Sequence, residues 1–430
     1  MKACLAAAVA VALVLPERPL AGAAAGERWI GTWFAASTAR VDAPAATGAP
    51  PATSGQSLLR VSDQTLRQIV HITHGGARLR VVFTNTFGTA GLRIGAASVA
   101  RRDHDAAIVA ASARPLTFDG VAQATIPAGA VLLSDPVNLE APDFSDLAID
   151  LFLPGDTGAM ASPATTHPAS WQTSYVSAPG NFAGRATMPV EATTTYRRAD
   201  GLQSATWFFL TRVEVAAPAD AGVIVALGDS ITDGTASGLD ANHRWPDYLA
   251  RRLTAAGARV AVLNAGIGGN RLLNEGNGPS ALARFDRDVI AQPGVTAVIV
   301  LEGINDIGQA RQSPSPAAAD LIAAHQQIIA RAHAHGLRVY GATLTPFEGA
   351  AYWTPEGEAK RRQLNEWIRG GQGYDAVFDF DAAVHDPAQP TKTLLRFDAG
   401  DHLHLNAAGY EAVAGTIDLA VFASRPVSVR

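Results

Sequence analysis

Three apolar runs without polar alternation, Val223–Leu227, Val260–Leu263 and Val298–Leu301, each break off into a turn rich in Gly, Asn, Asp or Ser, and the chain between them reads as helix. Continuous apolar character fits strands covered on both faces rather than strands with one wet side. Strands separated by helices call for a parallel sheet with helices on both of its faces. Strands are expected near Val223, Val260, Val295, Leu337 and Ala376. Helices are expected over His243–Ala256, Pro279–Ala291, Pro316–Ala334, Glu356–Gly370 and Asn406–Ala423. The carboxyl ends of such strands share one rim, the crevice where open α/β sheets bind ligands.

Ser230 lies on that rim. Gly228 and Gly234 permit the turn that carries it out of the strand, which makes its hydroxyl a nucleophile candidate. A serine alone proves little, because Gly-Asp-Ser also suits a turn with a capping serine, so the chain must supply a base, a group to orient it and donors for an oxyanion. Asp401 stands three residues before His404, close enough to hold the imidazole tautomer whose free nitrogen takes the serine proton. The two other strand exits offer a glycine-rich turn at Gly269 and the amide of Asn305. With the N–H of Ser230 itself, these could converge on one oxygen. The loop Gly266–Gly269 is a poor phosphate cradle, since no Lys-Ser/Thr pair follows and Arg271 is the one cation nearby.

Gly228-Asp229-Ser230, Gly269, Gly303-Ile304-Asn305-Asp306 and Asp401 with His404 resemble, in order and spacing, the four sequence blocks of the GDSL serine esterases, or SGNH hydrolases. Ile231 stands where the family name has leucine, a conservative apolar exchange. The resemblance covers roughly the last half of the chain. It implies a flavodoxin-like three-layer α/β/α domain with Ser230 as nucleophile, Asp401 and His404 completing a triad, and Gly269 and Asn305 in the oxyanion hole. The Gly-x-Ser-x-Gly elbow of ordinary α/β-hydrolases is absent, because Thr232 occupies its second glycine position.

The chain has 430 residues, 48% of them hydrophobic, which exceeds the size at which one core stops growing. Between Trp29 and about Val215, short β-branched segments alternate with Gly, Pro, Asp and Thr; in Ala77–Thr84 the residues Leu79, Val81 and Phe83 share one face. Further strands are expected over Leu66–Thr73, Val131–Leu139, Leu147–Leu153, Gln172–Val176 and Trp207–Val215, together indicating a β-sandwich of jelly-roll type. Ala43–Gly55 reads as a surface loop, and Ala216–Asp220 marks the boundary. The expected division is a signal peptide at 1–25, a β-sandwich accessory domain at 26–216 and a catalytic domain at 217–430.

Met1–Ala25 has a positive start at Lys2, an apolar stretch Leu5–Leu15 too short to span a bilayer, and small residues for cleavage at Ala21–Ala25, as in a secretory signal. Secretion or periplasmic residence is therefore expected. The single cysteine, Cys4, falls inside this segment, so the mature chain would rely on its core and hydrogen bonds. A net charge of −5 without a basic stripe argues against nucleic acid and an anionic membrane surface, and no later stretch suits a transmembrane helix. His325, His333 and His335 lack metal-ligand spacing, and no cofactor is called for. His402 should face away from the base, and Asp398 has no evident role.

Asp229, Arg271 and Trp353 are candidate substrate contacts, and Trp171 and Tyr175 could reach the pocket rim from the β-rich half. The expected activity is a metal-independent serine esterase releasing small acetyl-type groups, its substrate an acylated carbohydrate. A lipase, lysophospholipase or aryl-esterase is the alternative within enzymes, and a carbohydrate-binding protein the alternative outside them.

Overall fold

The computed structural model describes residues 26–40, 61–157, 164–198, 201–309 and 315–423. The expected signal segment 1–25, with Cys4, and the whole of the expected loop 43–55 lie outside the described residues. The main sheet of the second half is parallel throughout, and among the described residues only a short antiparallel hairpin, His385–Asp386 with Gln389–Thr393, lies beside it. β1 (Gly222–Gly228), β2 (Val260–Gly266), β3 (Val295–Leu301), β4 (Arg338–Ala342) and β5 (Ala376–Phe378) run in the order β2-β1-β3-β4-β5. β1 is buried along its whole length, which is why its sequence shows no alternation. From β1 the chain moves outward to β2 and then crosses to β3 on the other side. The strand order therefore reverses beside β1, and a crevice opens at its carboxyl end, where Ser230 follows.

The helices occupy the expected intervals, with two differences. Asn406–Ala423 divides into Ala407–Gly415 and Ala420–Ala423, because Gly415, Thr416 and Asp418 favour turn geometry over helix continuation. Pro279–Ala291 is an α-helical turn, Ala281–Phe285, followed by a wider π-type turn, Asp286–Ile290.

In the first half the strands are antiparallel and form a five-stranded and a six-stranded sheet together with smaller ones. Val131–Leu139 is interrupted at Ser134-Asp135-Pro136, giving Val131–Leu133 and Val137–Ala141. Ala216–Pro218 completes the strand Leu210–Pro218, so only a short turn separates it from β1. The two halves share one apolar core. Strand Glu27–Phe34 lies against β2, where Gly31 leaves just enough room for Leu263, and the Gly31 N–H donates to Pro293 O at 2.9 Å. Among the described residues no helix is long and apolar enough to cross a membrane.

Candidate active site

At the end of β1, Gly228 has no space for a side chain, since a Cβ would strike Thr232 and the Leu301 carbonyl. The chain turns there into the one-turn helix Ser230–Asp233, capped by Asp229, whose Oδ1 accepts the Ile231 N–H at 2.9 Å. Ser230 opens this turn, and its Oγ lies 2.8 Å from His404 Nε2. His404 Nδ1 is 2.5 Å from Asp401 Oδ2, while Asp401 Oδ1 accepts the N–H groups of His404 at 2.9 Å and Leu403 at 3.1 Å. Burial alone would raise the Asp401 carboxyl; the hydrogen bond and charge of His404, with the two N–H groups, outweigh it and hold the group far below the ordinary carboxylate range.

The loop carrying His404 is built by the residue that had no evident role. Asp398 Oδ1 accepts the N–H groups of Gly400 at 2.7 Å and His402 at 3.1 Å, and Oδ2 faces His402 Nδ1 at 2.6 Å. His402 thus turns away from Asp401, as expected, at a left-handed φ of 61°. Asn406 caps the following helix through Gly409 N at 3.1 Å, and Tyr410 OH donates to Thr235 O at 2.6 Å, tying that helix to the serine turn.

Gly269 has φ 73°, and the Asn277 side chain occupies the space a Cβ would need. The N–H groups of Ser230 and Gly269 have no partner among the described residues. Asn305 is oriented from both ends of its amide: Nδ2 donates to Asn270 O at 3.0 Å, and Oδ1 accepts from Gln309 Nε2 at 3.0 Å and Tyr352 OH at 3.4 Å. The second Nδ2 hydrogen remains to serve a ligand. These groups open on a cavity of about 460 Å³ bordered by Ser230, Gly269, Asn305 and His404.

Arg284, which sequence reasoning missed, braces the exits of β1 and β2. Fully buried, it donates to Gly228 O at 2.9 Å, Ala265 O at 2.6 Å and Asn270 Oδ1 at 2.9 Å. Only the fold brings those acceptors within one guanidinium's span, so no local pattern announces it.

The proposed substrate contacts need correction. Asp229 is fully buried, and its carboxylate turns inward toward Glu302 instead of reaching the cavity, as expected of a side chain used to cap the serine helix. Arg271 folds back to the Glu275 carbonyl and braces its own loop. Trp353 packs against the core, and neither it nor Arg271 borders the cavity. Trp171 and Tyr175 are buried. The β-rich half reaches the cavity through Thr38, Thr166, Pro168, Ala169, Tyr196 and Arg198 instead.

Beneath the serine turn, Asp229 and Glu302 are both fully buried, and Asp229 Oδ2 and both Glu302 oxygens have no hydrogen-bond partner. Burial, then the neighbouring Asp229, pushes Glu302 well above the ordinary range. Burial likewise raises Asp306 to about 6, although its carboxylate accepts Leu272 N at 2.7 Å and Leu273 N at 3.1 Å. The folded chain therefore holds the Asp306 proton more tightly than the unfolded one. The stability this contributes is complete below about pH 4 and is lost as pH rises through about 6. Asp306→Asn abolishes this titration, so the wild-type advantage in unfolding free energy, measured by denaturant titration, should shrink between pH 4 and 6 by on the order of 2–3 kcal/mol. An advantage that grows over that interval would show a carboxylate stabilised in its charged form.

The histidines weighed as metal ligands are apart in their bonding. His325 Nδ1 pairs with Tyr374 OH at 2.6 Å, with burial lowering it to about 4, and His333 Nε2 pairs with Asp375 at 3.0 Å. Among the described residues no group of three or more His, Cys, Asp or Glu is placed to hold a metal.

Residues 226–412 match the model of the GDSL-like Lipase/Acylhydrolase family. No curated protein matches the chain. Similar solved structures include an acetyl xylan esterase, 20% identical over 45% of this chain and 96% of that one with a TM-score of 0.36. A carbohydrate acetylesterase family member from Sinorhizobium meliloti is 18% identical over 46% and 97%, with a TM-score of 0.37. The M. smegmatis aryl esterase is 16% identical over 45% and 95%, with a TM-score of 0.37. The family match begins on β1, just ahead of the serine turn, and ends within the helix that follows His404, and by it this chain is a carboxylic ester hydrolase carrying a GDSL-like lipase/acylhydrolase domain.

Proposed function

We propose that the chain is an exported serine esterase that removes small, acetyl-type acyl groups from carbohydrates. The observation that carries this reading is the hydrogen-bond chain from Asp401 through His404 to Ser230, opening beside the unpaired N–H groups of Ser230 and Gly269. Ser230 Oγ attacks the ester carbonyl carbon while His404 Nε2 takes its proton, and the developing oxyanion meets the N–H of Ser230, the N–H of Gly269 and Nδ2 of Asn305. Collapse expels the alcohol, which takes the proton back from His404. Water, deprotonated by His404, then attacks the acyl-enzyme, and its collapse releases the carboxylic acid and restores Ser230.

The wall of the cavity supports this substrate class. Thr38, Tyr196, Asn277 and Gln309 offer hydroxyl and amide groups suited to a sugar, whereas a fatty chain needs a continuous apolar surface. The antiparallel sheets of the first half are read as a β-sandwich accessory domain at 26–216, and residues 217–430 as a three-layer catalytic domain. Export rests on the composition of Met1–Ala25.

Labelling by a fluorophosphonate separates an enzyme from a binding protein. Release of acetate from acetylated xylan or pectin supports the carbohydrate reading, and release of fatty acid from a phospholipid without acetate from either glycan would replace it with a lipase. Asn305→Ala should lower kcat about a hundred- to a thousandfold with a smaller change in KM, measured on an aryl acetate. A loss below tenfold would remove Asn305 from the oxyanion hole.

A further inference from the structure

Along strand Ala164–Pro168, Thr166 and Pro168 border the active-site cavity, so the residue between them points to the other side, into the seam with the serine helix. That residue is His167, buried beneath the Trp207 ring at a centroid distance of 5.6 Å. Its Nδ1 lies 2.8 Å from Ala36 O and its Nε2 3.0 Å from Asp233 Oδ1. A carbonyl and a carboxylate only accept, so both bonds form only when the ring carries a hydrogen on each nitrogen. The other charged groups near this seam are Arg244, whose Nε donates to Asp233 O at 3.1 Å, and His71 and Asp247 across a small void.

Asp233 closes the helix that Ser230 opens, and its second oxygen, Oδ2, accepts the Gly268 N–H at 3.1 Å. One carboxylate thus joins a histidine of the β-rich half to the residue immediately before Gly269. Gly266 packs so closely on the Asp233 backbone that no side chain fits between them, which leaves the glycine turn little freedom except through this contact.

We propose that His167 is a positioning residue for the oxyanion turn: through Nε2 it fixes Asp233, which through Gly268 sets the direction of the Gly269 N–H. The inference rests on the reading of that N–H as an oxyanion donor. It gives the β-rich half a part in turnover and not in recognition alone. A misdirected donor is weaker than a removed one but still costly, because errors of about 1 Å in such geometry lower rates by about a hundredfold.

The test compares His167→Leu, which removes both bonds, with His167→Gln, whose side-chain amide can still donate to Asp233. Expected for His167→Leu is a fall in kcat of about ten- to a hundredfold with KM within about twofold, and for His167→Gln a return to within a few-fold of wild type. Unchanged kcat in His167→Leu, or equal losses in both variants, would overturn the proposal. Should His167→Leu fail to fold, ¹H–¹⁵N correlation of the wild-type imidazole decides: a hydrogen on Nε2 supports the arrangement, and a ring with its hydrogen on Nδ1 alone sinks it. Fluorophosphonate labelling of wild type and its absence in Ser230→Ala are scored separately. A failure there withdraws the serine mechanism, whereas intact labelling with an indifferent His167 withdraws only the positioning role.

Discussion

Ser230→Ala is expected to lower ester turnover by about a millionfold while leaving the melting temperature within a few degrees of wild type. The size of the loss follows from removing the nucleophile of a set that acts as a unit; what survives is catalysis by the oxyanion donors and binding alone. Stability should hold because the Ser230 hydroxyl bonds to His404 at the cavity surface and carries no share of the apolar core. The turn itself depends on Gly228 and the Asp229 cap, which the substitution leaves in place. Steady-state rates on an aryl acetate, with a thermal melt of the same preparation, measure both quantities. Retention of more than about a tenth of wild-type activity would show that another group attacks the ester.

Asp401→Asn should cost about ten thousandfold in kcat, the loss seen when the orienting carboxylate of a serine protease triad becomes an amide. Asn still accepts the backbone N–H groups of His404 and Leu403 that Oδ1 holds, so the loop should keep its shape. What changes is the contact at Nδ1: an amide can donate there and so favour the tautomer with the hydrogen on the wrong nitrogen. Asp398→Asn is the internal control. Its charge faces His402, and its remaining bonds are to loop N–H groups, so its expected cost is a lowered melting temperature with kcat reduced no more than about tenfold. Equal losses of kcat in the two variants, or the larger at Asp398, would assign the orienting role to the wrong carboxylate.

The two carboxylates also mark how far the sequence could be read. Asp401 and His404 were legible because one turn of chain separates them, and β1 because burial on both faces leaves an uninterrupted apolar run. Asp398 was not, since its bonds to Gly400 and His402 depend on a left-handed residue at 402 that no propensity announces. Arg284 and the cavity wall were hidden for a different reason. Thr38 donates to the carbonyl of Thr166 across 128 positions, a pairing settled by the register of the antiparallel sheets. Trp171 looked like a rim residue because large aromatics often line pockets, but it is buried, with Arg198 lying over its ring. Helices were over-extended where Gly415 and Thr416 end one within a stretch that remains apolar.

The cavity draws its reacting groups from one half of the chain and much of its wall from the other. On the proposed mechanism, a substitution around Tyr196 and Arg198 would alter which ester fits the cavity without moving Ser230, Asp401 or His404. The freedom stops at one strand. Residues 166 and 168 face the guest and residue 167 faces the machinery, so an insertion or deletion there would swap the two, and variation along that strand is confined to exchanges that preserve its length.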